Sequence, residues 1–597
     1  MCGIIGYIGD KSAQPILLAG LARMEYRGYD SAGIATLGTG KLKVVKAKGK
    51  VAALAQKVGE STDVIGIGHT RWATHGEPSE RNAHPHVAGN IAIVHNGIIE
   101  NYKELKDELA QKGITFVSDT DSEVLAHLIY SHYKGDLAKS VQQALRQVTG
   151  TFGLAVVSTE EPGKLVAARR GSPLLIGLSQ TETFVASDPA ALVGYVKDVI
   201  YLNDDELAVC APGTAEVFDF DLHPKVQARE TLQMELETIQ KQGYDHFLLK
   251  EIMEQPSSVE AVLRGRLLPD QGTSHLGGLN LSGDQVRAIE RIVIVGCGTA
   301  YYAGLLGKYL IESLTHIPVD VEVASEFRYR DPVLSKNSVA LIISQSGETA
   351  DTLACVEELK RRGVHTLGLV NVVGSTIART VDGGIYLHAG PEISVASTKA
   401  FTNQVVAQIL FALHVARQRD LSLADGKEVV AALERLPRDI AAALKTNQNV
   451  AAATKNISHF KNAIYLGRNT LFPIALEGAL KLKEVSYVHA EAYAAGEVKH
   501  GPIALIDPDM LVVFLLGKGA LTDKAHSNLQ EIKARGGTIL MVTDTDMADA
   551  LHVATHSPWT APLVMNIVLQ LLAYHIAVAC GRDVDQPRNL AKSVTVE

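Results

Sequence analysis

Cys2 is the residue of this sequence best suited to nucleophilic chemistry. It lies between Met1 and the small residue Gly3, a context in which removal of the initiating methionine is plausible. An N-terminal cysteine carries a free α-amine that titrates near ~7.7–8.0, so the amine can accept the thiol proton near neutral pH. One residue then supplies both nucleophile and base. The alternative for these three residues alone is an inert cysteine at a chain terminus.

Two charged side chains further along could bind an amino acid by both of its charged groups. Arg71 lies in HTRWATHG (69–76), and arginine can bind a carboxylate through two parallel hydrogen bonds. Asp121 lies in SDTDSEV (118–124), where its carboxylate could pair with an ammonium group. The alternative for Asp121 is a helix N-cap with a glutamate following it.

The pair Asn96-Gly97 ends an apolar strand in the segment HNGIIEN (95–101). An asparagine side chain and a glycine N–H are suitable donors for an oxyanion. Asn-Gly is also the strongest short signal for a hairpin turn, which is the alternative interpretation.

In this order, these segments resemble the N-terminal-nucleophile, class II glutamine amidotransferase domain. The resemblance covers residues 2 to about 238 and is carried by CGIIGYIG, MEYRGYDSAG (24–33), HTRWATHG, NAHPH (82–86), HNGIIEN and SDTDSEV. It implies that Cys2 attacks glutamine and that Asn96 and Gly97 form the oxyanion hole. Arg71 and Asp121 would hold the α-carboxylate and α-amino groups of glutamine. The substrate would form a γ-glutamyl thioester, release ammonia and be hydrolysed to glutamate.

The resemblance also implies residues around the glutamine pocket. Thr74 and His75 would line the pocket together with Gly97. Trp72, beside Arg71, occupies the position of an ammonia-channel gate in the family. Without the resemblance, Trp72 would be interpreted as a core aromatic residue.

A second group of polar residues follows the apolar strand VALII. The segment ISQSGETADT (343–352) places four hydrogen-bonding side chains around one glycine and before a helix: Ser344, Gln345, Ser346 and Thr349. Small hydroxyls at a helix N-terminus can bind a phosphate through side-chain and backbone donors. The alternative is ordinary N-capping, which also applies to Ser397 and Thr398 in EISVASTKAF (392–401).

The glycine-rich turn GCGTAYYAG (296–304) is a weak candidate for a dinucleotide site. Five residues separate its second glycine from the third, so the spacing departs from GxGxxG. A turn of this kind before a helix also suits a phosphate or a sugar oxygen.

The segment 475–502 contains a charged helical face and a turn. Glu477, Lys481 and Glu484 are spaced i, i+4 and i+7, which places them on one face of a helix. The alternative is a salt-bridged face exposed to solvent. His500 precedes Gly-Pro, a turn that often marks a site.

Together with the ending QPRNLAKSVTVE, these segments resemble the pair of sugar isomerase (SIS) domains of an amidotransferase family that aminates fructose 6-phosphate. The resemblance covers about 249–597. It implies that Lys592, otherwise a solvated tail charge, forms a Schiff base with the C2 carbonyl of the sugar. Glu484 would move a proton between C1 and C2, Lys481 would assist around the hydroxyls, and His500 would assist ring opening. Residues at or near the phosphate would be Thr299, Ser344, Gln345, Ser346, Thr349, Val395 and Ser397.

The pattern of predicted strands and helices that position these residues changes near residue 236. Before it, short apolar runs alternate with Gly and Asp turns, and helical patterns intervene near 12–24, 101–112 and 121–133. This pattern of short strands and intervening helices predicts stacked sheets with helices packed on them. After the segment 241–256, interpreted as the interdomain connection, short strands alternate with long helices, which is typical of a parallel sheet.

The second half also contains an internal repeat. RIVIVGCGTAYYAG (291–304) has the same pattern as AIYLGRNTLFPIALEG (463–478). Gly467 follows Gly296 by 171 residues, and two further pairs of landmarks are 173 and 174 residues apart. This nearly constant offset predicts a duplicated α/β domain.

With the resemblance, the predicted fold is an α/β multidomain protein. An N-terminal αββα sandwich of stacked antiparallel sheets would precede two duplicated α/β SIS domains with parallel, flavodoxin-like sheets. The expected boundaries are 2–238 for the glutaminase domain, 239–248 for a linker, 249–450 and 451–588 for the SIS domains, and 589–597 for a catalytic tail.

The composition argues against several other classes of protein. The formal net charge is −9 and no long Lys/Arg run occurs, which argues against a nucleic-acid surface. Five scattered cysteines without CxxC spacing argue against a disulfide framework or a cysteine zinc site, and fit a cytoplasmic setting. The apolar run 561–579 is long enough to span a membrane, but its interior polar residues favour a buried core helix.

We therefore expect a cytoplasmic enzyme that converts glutamine and fructose 6-phosphate to glutamate and glucosamine 6-phosphate, the first committed step of hexosamine synthesis. No metal, organic cofactor, nucleic acid or membrane is expected to take part. The resemblance implies a homodimer in which His500 is supplied by the neighbouring subunit.

Two alternative functions remain. The first is another class II amidotransferase, of the phosphoribosyl-pyrophosphate or asparagine-forming type. It is disfavoured because the second half has no acidic pyrophosphate-binding run and no GxxxxGK[ST] loop. The second is a non-catalytic sugar-phosphate sensor built on two SIS domains, which the presence of Glu484, His500 and Lys592 disfavours.

Overall fold

The apolar strands and helices of the chain form two units. A computed structural model describes residues 2–38, 40–73, 75–232 and 240–595. Unit 1 comprises the chain up to Gln240 together with the tail from Ala591, and unit 2 comprises Lys241–Leu590.

Unit 1 contains two antiparallel sheets. In chain order, its strands are β1 (Gly3–Ile8), β2 (Ser31–Gly38), β3 (Lys41–Lys48), β4 (Ile65–Arg71), β5 (His86–Ala88), β6 (Ile91–Ile99), β7 (Gly150–Ser158), β8 (Leu165–Arg170), β9 (Leu175–Leu178), β10 (Thr183–Ala186), β11 (Asp198–Tyr201), β12 (Glu206–Ala211), β13 (Thr214–Asp219), β14 (Pro224–Lys225) and β15 (Glu230–Thr231). The first sheet has the order β15-β11-β9-β10-β1-β4-β2-β3, and the second has the order β14-β13-β12-β8-β7-β6-β5.

Helices cover the outer faces of both sheets. They are α1 (Ala13–Arg23), α2 (Val51–Lys57), α3 (Tyr102–Gln111), α4 (Asp121–His132) and α5 (Leu137–Leu145). Ile4 and Ile67 of the first sheet share one apolar core with Val94 and Val157 of the second. Separate cores join α1 and α2 to the first sheet and α3, α4 and α5 to the second. Because each sheet buries both faces, unit 1 is an αββα sandwich, which confirms the predicted class.

Unit 2 contains two parallel five-stranded sheets and one small hairpin. Its strands are β16 (Leu267–Leu268), β17 (Thr273–Ser274), β18 (Arg291–Gly296), β19 (Val319–Val323), β20 (Ser338–Ser344), β21 (His365–Val370), β22 (Gly383–Tyr386), β23 (Asn462–Gly467), β24 (His489–Ala494), β25 (Met510–Leu516), β26 (Thr538–Thr543) and β27 (Ala550–His552). The sheets have the orders β19-β18-β20-β21-β22 and β24-β23-β25-β26-β27. Both follow the flavodoxin-like order 2-1-3-4-5, so the predicted repeat is confirmed as two copies of one topology.

Long helices pack on these sheets and form most of the core of unit 2. The helices are α6 (Phe247–Met253), α7 (Gln255–Leu263), α8 (Gly283–Arg287), α9 (Thr299–Thr315), α10 (Ala324–Phe327), α11 (Ala350–Arg361), α12 (Thr376–Thr380), α13 (Lys399–Arg417), α14 (Leu423–Leu444), α15 (Asn447–Thr454), α16 (Leu471–Ser486), α17 (Thr522–Lys533) and α18 (Ala561–Ala579). One continuous apolar cluster includes residues of α9, α13, α16 and α18, so it joins the two repeats.

Helix α18 is the apolar run that the sequence offered as a membrane span or a core helix. Among the described residues it is the one helix long and apolar enough to cross a membrane, and 83% of its most apolar stretch is buried. Its Gln570 accepts a hydrogen bond from the Gln255 amide at 2.6 Å and lies 3.4 Å from the Thr398 carbonyl oxygen, to which it donates. The prediction of a core helix is therefore confirmed.

The segment 241–256, expected to connect the domains, is partly helical. Helix α6 begins within it at Phe247, and α7 begins at Gln255. The backbone N–H groups of Phe247 and Leu248 donate to the Asp585 carboxylate at 3.0 and 2.9 Å. This anionic cap at the start of α6 ties the second part of the segment into unit 2, an effect that no local pattern could reveal.

Candidate functional site

Cys2 lies immediately before β1, and the pairing of β1 with β4 decides its neighbours. Gly3 is paired with Thr70, so Trp72 follows β4 beside the cysteine. The Trp72 backbone N–H donates to Cys2 Sγ at 3.4 Å. Burial raises the pKa of the Cys2 thiol, and the Trp72 N–H and the Arg71 charge partly oppose this effect. The thiol therefore needs a base close to it, as an α-amine on the same residue would be.

Asn96 and Gly97 lie inside β6, where they pair with Gly153 and Phe152 of β7. The hairpin-turn alternative is therefore wrong. The Asn96 side-chain Nδ2 donates to the Cys2 carbonyl oxygen at 3.1 Å, so a hydrogen-bond donor lies beside the nucleophile. Gly97 has a φ of +128°, and a Cβ there would overlap the Thr151 carbonyl. Glycine is required at this position for both reasons.

Arg71 ends β4 and is 3% exposed. Its guanidinium donates to the carbonyl oxygens of Gly76 at 2.9 Å and Glu77 at 3.3 Å. Burial lowers the pKa of Arg71, while the negative charges of Cys2, Asp30 and Asp121 raise it. The arginine charge is thus placed where it interacts with both the nucleophile and Asp121.

Asp121 is the first residue of α4 and is 4% exposed. The helix is capped by Thr120, whose side chain accepts from the Glu123 N–H, so the N-cap alternative for Asp121 is wrong. Asp121 Oδ2 instead accepts from the Ile99 N–H at 2.9 Å. A buried carboxylate held in this way can bind an ammonium group.

The segment after Arg71 supplies the other predicted pocket residues. Trp72 and His75 are half-buried, and the His75 ring packs edge-on against Tyr102 at a centroid distance of 5.3 Å. Thr74 lies outside the described residues.

Four buried histidines lie on or beside the strands of this site, and their residue types and spacing alone predicted no role for them. They are His69, His84, His86 and His95. His69 Nε2 lies 3.0 Å from Asn96 Oδ1. The signal was present, because all four fall in the three segments HTRWATHG, NAHPH and HNGIIEN.

Five of the predicted phosphate residues of unit 2 follow the carboxyl ends of two adjacent strands. Ser344 ends β20, and Thr299 begins α9 shortly after β18. Because β19 lies on the other side of β18, this is the point at which the strand order reverses. Parallel sheets open a ligand crevice at such a switch point.

The loop after β20 is shaped around its glycine. The Gly347 N–H donates to Ser344 Oγ at 2.9 Å, and Thr349 Oγ1 lies 3.3 Å from the same hydroxyl. Gly347 has a φ of +66°, and a Cβ there would overlap Ser375 Oγ. Ser346 Oγ accepts from the Glu348 N–H at 3.1 Å, and Gln345 is half-buried. The hydroxyls therefore gather before α11, whose N-terminus favours an anion.

Glu477, Lys481 and Glu484 lie on one face of α16, as predicted, but this face is not solvated. Glu477 is 0% and Lys481 is 2% exposed, so the alternative of an exposed salt-bridged face is wrong. Lys481 Nζ donates to Glu484 Oε2 at 2.6 Å and to Thr299 Oγ1 at 2.9 Å, and it lies 3.5 Å from Glu477 Oε1. These contacts bring α16 of the second repeat to the switch point of the first.

Burial and charge shift the pKa values of this cluster. Burial raises the pKa of Glu477 to about 8, although the Lys481 charge partly opposes it. Burial lowers the pKa of Lys481, but the two carboxylates outweigh burial and raise it overall. The cluster therefore favours a positive charge on Lys481 beside a Glu477 carboxyl group that favours its proton.

Ser397 and Val395 belong to the loop before α13. Ser397 Oγ donates to Glu392 Oε2 at 2.6 Å, and the Thr398 N–H donates to Glu392 Oε1 at 2.8 Å. The Val395 N–H donates to the Asp585 carbonyl oxygen at 3.0 Å. Glu392, which is 4% exposed, thus shapes this loop, and the sequence offered no sign of that role.

The remaining two candidate residues, His500 and Lys592, belong to different units of the chain. His500 ends the short 3₁₀ turn Val498–His500 of unit 2 and is exposed. Lys592 is half-buried and belongs to the tail that groups with unit 1.

One group of potential metal ligands occurs among the described residues: Asp219, Asp221 and His223. It is largely exposed, and its carboxylates already pair with Lys225 and Arg146. Nothing at this group calls for a metal.

Comparisons with known proteins follow the same division of the chain. A glutamine amidotransferase domain model matches residues 69–194, and a SIS domain model matches 286–414 and 456–579. A protein named glutamine–fructose-6-phosphate aminotransferase [isomerizing] from Chlorobaculum tepidum is 48% identical over 615 residues, covering 100% of both chains. One of the same name from Thermus thermophilus is 49% identical over 609 residues, again covering 100% of both. The C-terminal domain of glucosamine-fructose-6-phosphate aminotransferase from Francisella tularensis is a solved structure with 40% identity and a TM-score of 0.56. It is covered completely and spans 58% of this chain.

Proposed function

This chain belongs to the family of isomerizing glutamine–fructose-6-phosphate aminotransferases, and we propose how its residues divide that reaction. It is an enzyme that transfers nitrogen from glutamine to fructose 6-phosphate and isomerises the product to glucosamine 6-phosphate.

In unit 1, Cys2 Sγ attacks the side-chain amide carbon of glutamine after Met1 has been removed. The α-amine of Cys2 takes the thiol proton and returns it to the leaving ammonia. Asn96 Nδ2 and the Gly97 N–H stabilise the oxyanion. Water then cleaves the γ-glutamyl thioester and releases glutamate. The contact between Asn96 and the Cys2 carbonyl supports this assignment.

The glutamine backbone is recognised by opposite charges. Arg71 binds the α-carboxylate and Asp121 binds the α-ammonium group, as their burial and mutual attraction support. Thr74 and His75 complete the pocket, and Trp72 gates the passage of ammonia. The last three roles stay predictions.

In unit 2, the phosphate of fructose 6-phosphate binds at the switch point. Its ligands are the loop hydroxyls and nearby groups at Thr299, Ser344, Gln345, Ser346, Thr349, Val395 and Ser397. His500 assists opening of the sugar ring. The burial of α16 beside Thr299 supports this location.

Lys592 forms an imine with C2 of the open sugar, which makes that carbon an acceptor for ammonia without a cofactor. Glu484 carries the proton between C1 and C2 during isomerisation. Lys481 positions the Glu484 carboxylate, because its Nζ donates to Glu484 Oε2 at 2.6 Å. This contact is the observation that carries the proposal, because a sensor that only bound sugar phosphate would not need a half-buried carboxylate paired with a buried lysine.

We propose the domain limits as 2–238, 249–450 and 451–588, with a linker at 239–248 and a catalytic tail at 589–597. We also propose a cytoplasmic homodimer in which His500 serves the neighbouring subunit. The exposure of His500 supports the dimer, and the five free cysteines support a reducing compartment.

The test is product formation by purified protein whose N-terminal mass shows that Met1 is absent. We expect glucosamine 6-phosphate and glutamate from glutamine and fructose 6-phosphate. The Lys592→Ala variant should still release glutamate from glutamine but make no amino sugar. Normal product formation by this variant would remove the imine from the mechanism, and no product from the processed wild type would refute the whole assignment.

A further inference from the structure

His69 lies on β4, between Ile4 of β1 and Gly33 of β2, and is 0% exposed. Its Nε2 lies 3.0 Å from Asn96 Oδ1 and 3.1 Å from the His95 carbonyl oxygen. Among the described residues, the hydrogen bonds of the Cys2 thiol go to the Trp72 backbone and not to His69, so the proposed reaction gives His69 no role.

The hydrogen bonds around Asn96 determine where the His69 proton resides. The Cys2 carbonyl oxygen can only accept a hydrogen bond, so the end of the Asn96 amide that faces it must be Nδ2. The other end, Oδ1, then faces His69. Because Asn96 Oδ1 and the His95 carbonyl oxygen are both acceptors, His69 Nε2 must carry a hydrogen and donate it.

The surroundings of the ring keep this arrangement. His69 Nδ1 is buried and has no hydrogen-bond partner among the described residues, so a proton there would have no acceptor. Burial lowers the pKa of His69 to about 3. The His84 ring stacks on it at a centroid distance of 4.0 Å, and His84 Nδ1 accepts the His95 N–H at 3.2 Å. The neutral His69 ring, which is stacked against His84, therefore has one hydrogen-bond donor. This donor is Nε2–H, which faces Asn96 Oδ1.

We propose that His69 is a positioning residue for the glutaminase reaction, which fixes the Asn96 amide with Nδ2 toward Cys2. The two ends of an amide have nearly the same shape but opposite hydrogen-bonding character. Without the His69 donor, the amide can rotate and present Oδ1 to the oxyanion, where a lone pair opposes the developing charge. This inference rests on the proposed role of Asn96 as an oxyanion donor.

The His69→Phe variant removes the donor and retains a buried flat ring. We expect kcat for glutamate release to fall by about 10²-fold, the size of effect typical for loss of one oxyanion donor. The KM for glutamine should change by no more than about twofold, because Arg71 and Asp121 still bind the substrate. The His69→Gln variant, whose amide can donate to Asn96, should recover part of the loss.

Two controls separate positioning from general damage. His127→Phe makes the same substitution at a half-buried histidine of unit 1, whose ring packs on Phe116, and should leave glutamate release unchanged. Alkylation of Cys2 by iodoacetamide needs no oxyanion donor, so its rate should be the same in His69→Phe and in the wild type. Slowing of alkylation in proportion to glutamate release would overturn the proposal.

The double variant His69→Phe/Asn96→Ala gives the decisive result. If His69 acts through Asn96, the double variant is no slower than Asn96→Ala alone. If the double variant instead lost activity by the product of the two single-variant factors, the proposal would be overturned. A slow Asn96→Ala with a normal His69→Phe would remove only the His69 inference, whereas a normal Asn96→Ala would remove the proposed oxyanion role and the inference together.

Discussion

At the scale of single residues, chemistry depends on backbone conformation as much as on side-chain type. Gly97 has no side chain, yet its φ of +128° and the Thr151 carbonyl beside it leave no other residue type possible without strain. The proposed oxyanion site therefore lies inside a sheet, although an Asn-Gly pair by itself is typical of a hairpin turn.

We predict that Gly97→Ala lowers kcat for glutamate release by more than about 10²-fold, because the strand must shift and displace the oxyanion donors. The measurement is steady-state glutamate release at saturating glutamine. Gly113→Ala is the matched control, since Gly113 also has a positive φ of +85° but a Cβ there would meet nothing within 4 Å. Equal losses in both variants would contradict the prediction.

Glu477 should make the stability of the protein depend on pH. Burial raises its folded-state pKa to about 8 from an ordinary 4.5, so the folded state binds more protons than the unfolded state between these values. Its contribution to stability is therefore complete below pH 4.5 and is lost as pH rises toward 8, at up to about 1.4 kcal/mol per pH unit.

We predict that Glu477→Gln removes this dependence. The melting temperature of the variant, relative to the wild type, should rise between pH 5 and pH 8, as measured by thermal unfolding at matched ionic strength. Parallel profiles for the two proteins would show that the buried carboxyl group does not favour its proton.

At the scale of elements, the buried helix α18 contains two polar residues that differ in whether their side chains have hydrogen-bond partners. Gln570 bonds to Gln255 and Thr398, whereas both amide atoms of Asn566 are buried without a partner among the described residues. An unpartnered buried amide costs stability, and an apolar residue of similar size does not carry this cost.

We predict that Asn566→Leu stabilises the protein by about 1–2 kcal/mol, while Gln570→Leu, four residues further on the same helix, destabilises it by about 1–3 kcal/mol. Chemical denaturation monitored by circular dichroism measures both. Destabilisation by Asn566→Leu would mean that the amide has a partner, such as a buried water.

The two SIS sheets share one strand order but differ in the loops that follow corresponding strands. Both have the order 2-1-3-4-5, but SQSGET after β20 corresponds to LGKGAL after β25. The two copies therefore have the same topology, but the SQSGET cluster of hydroxyl groups belongs to the first copy and is replaced by LGKGAL in the second. The second copy instead contributes α16, with Lys481 and Glu484, to the site at Thr299.

At the scale of the whole molecule, the proposed exchange of His500 between subunits has a quantitative consequence. In a dimer of Lys592→Ala with His500→Ala, one site would lack both side chains and the other would keep both. Random mixing should then restore about a quarter of wild-type synthesis, because half of the dimers are mixed and each has one complete site.

The experiment is co-expression or denaturation and refolding of the two inactive variants, followed by measurement of glucosamine 6-phosphate. Each variant alone should be inactive. No recovery after mixing, with mixed dimers detected by mass, would place His500 in the site of its own subunit.

The type of reaction and the fold class could both be predicted from the amino-acid sequence. Cys2, Asn96, Arg71 and Asp121 lie in short motifs whose types could be recognised locally. Alternating apolar strand and helix patterns indicate which elements are buried, and the nearly constant spacing of the repeat indicates a duplication. Both features can be detected from the order of residues alone.

The groups of side chains that lie together, and their protonation states, could not be predicted from the sequence. The burial of Glu477 and Lys481 was not visible, because a charged helical face looks the same whether it meets water or Thr299. The role of His69 was hidden for the same reason: its proton is located by acceptors on another strand. Long-range contacts set desolvation and hydrogen-bond direction, and these quantities have no local pattern in a sequence.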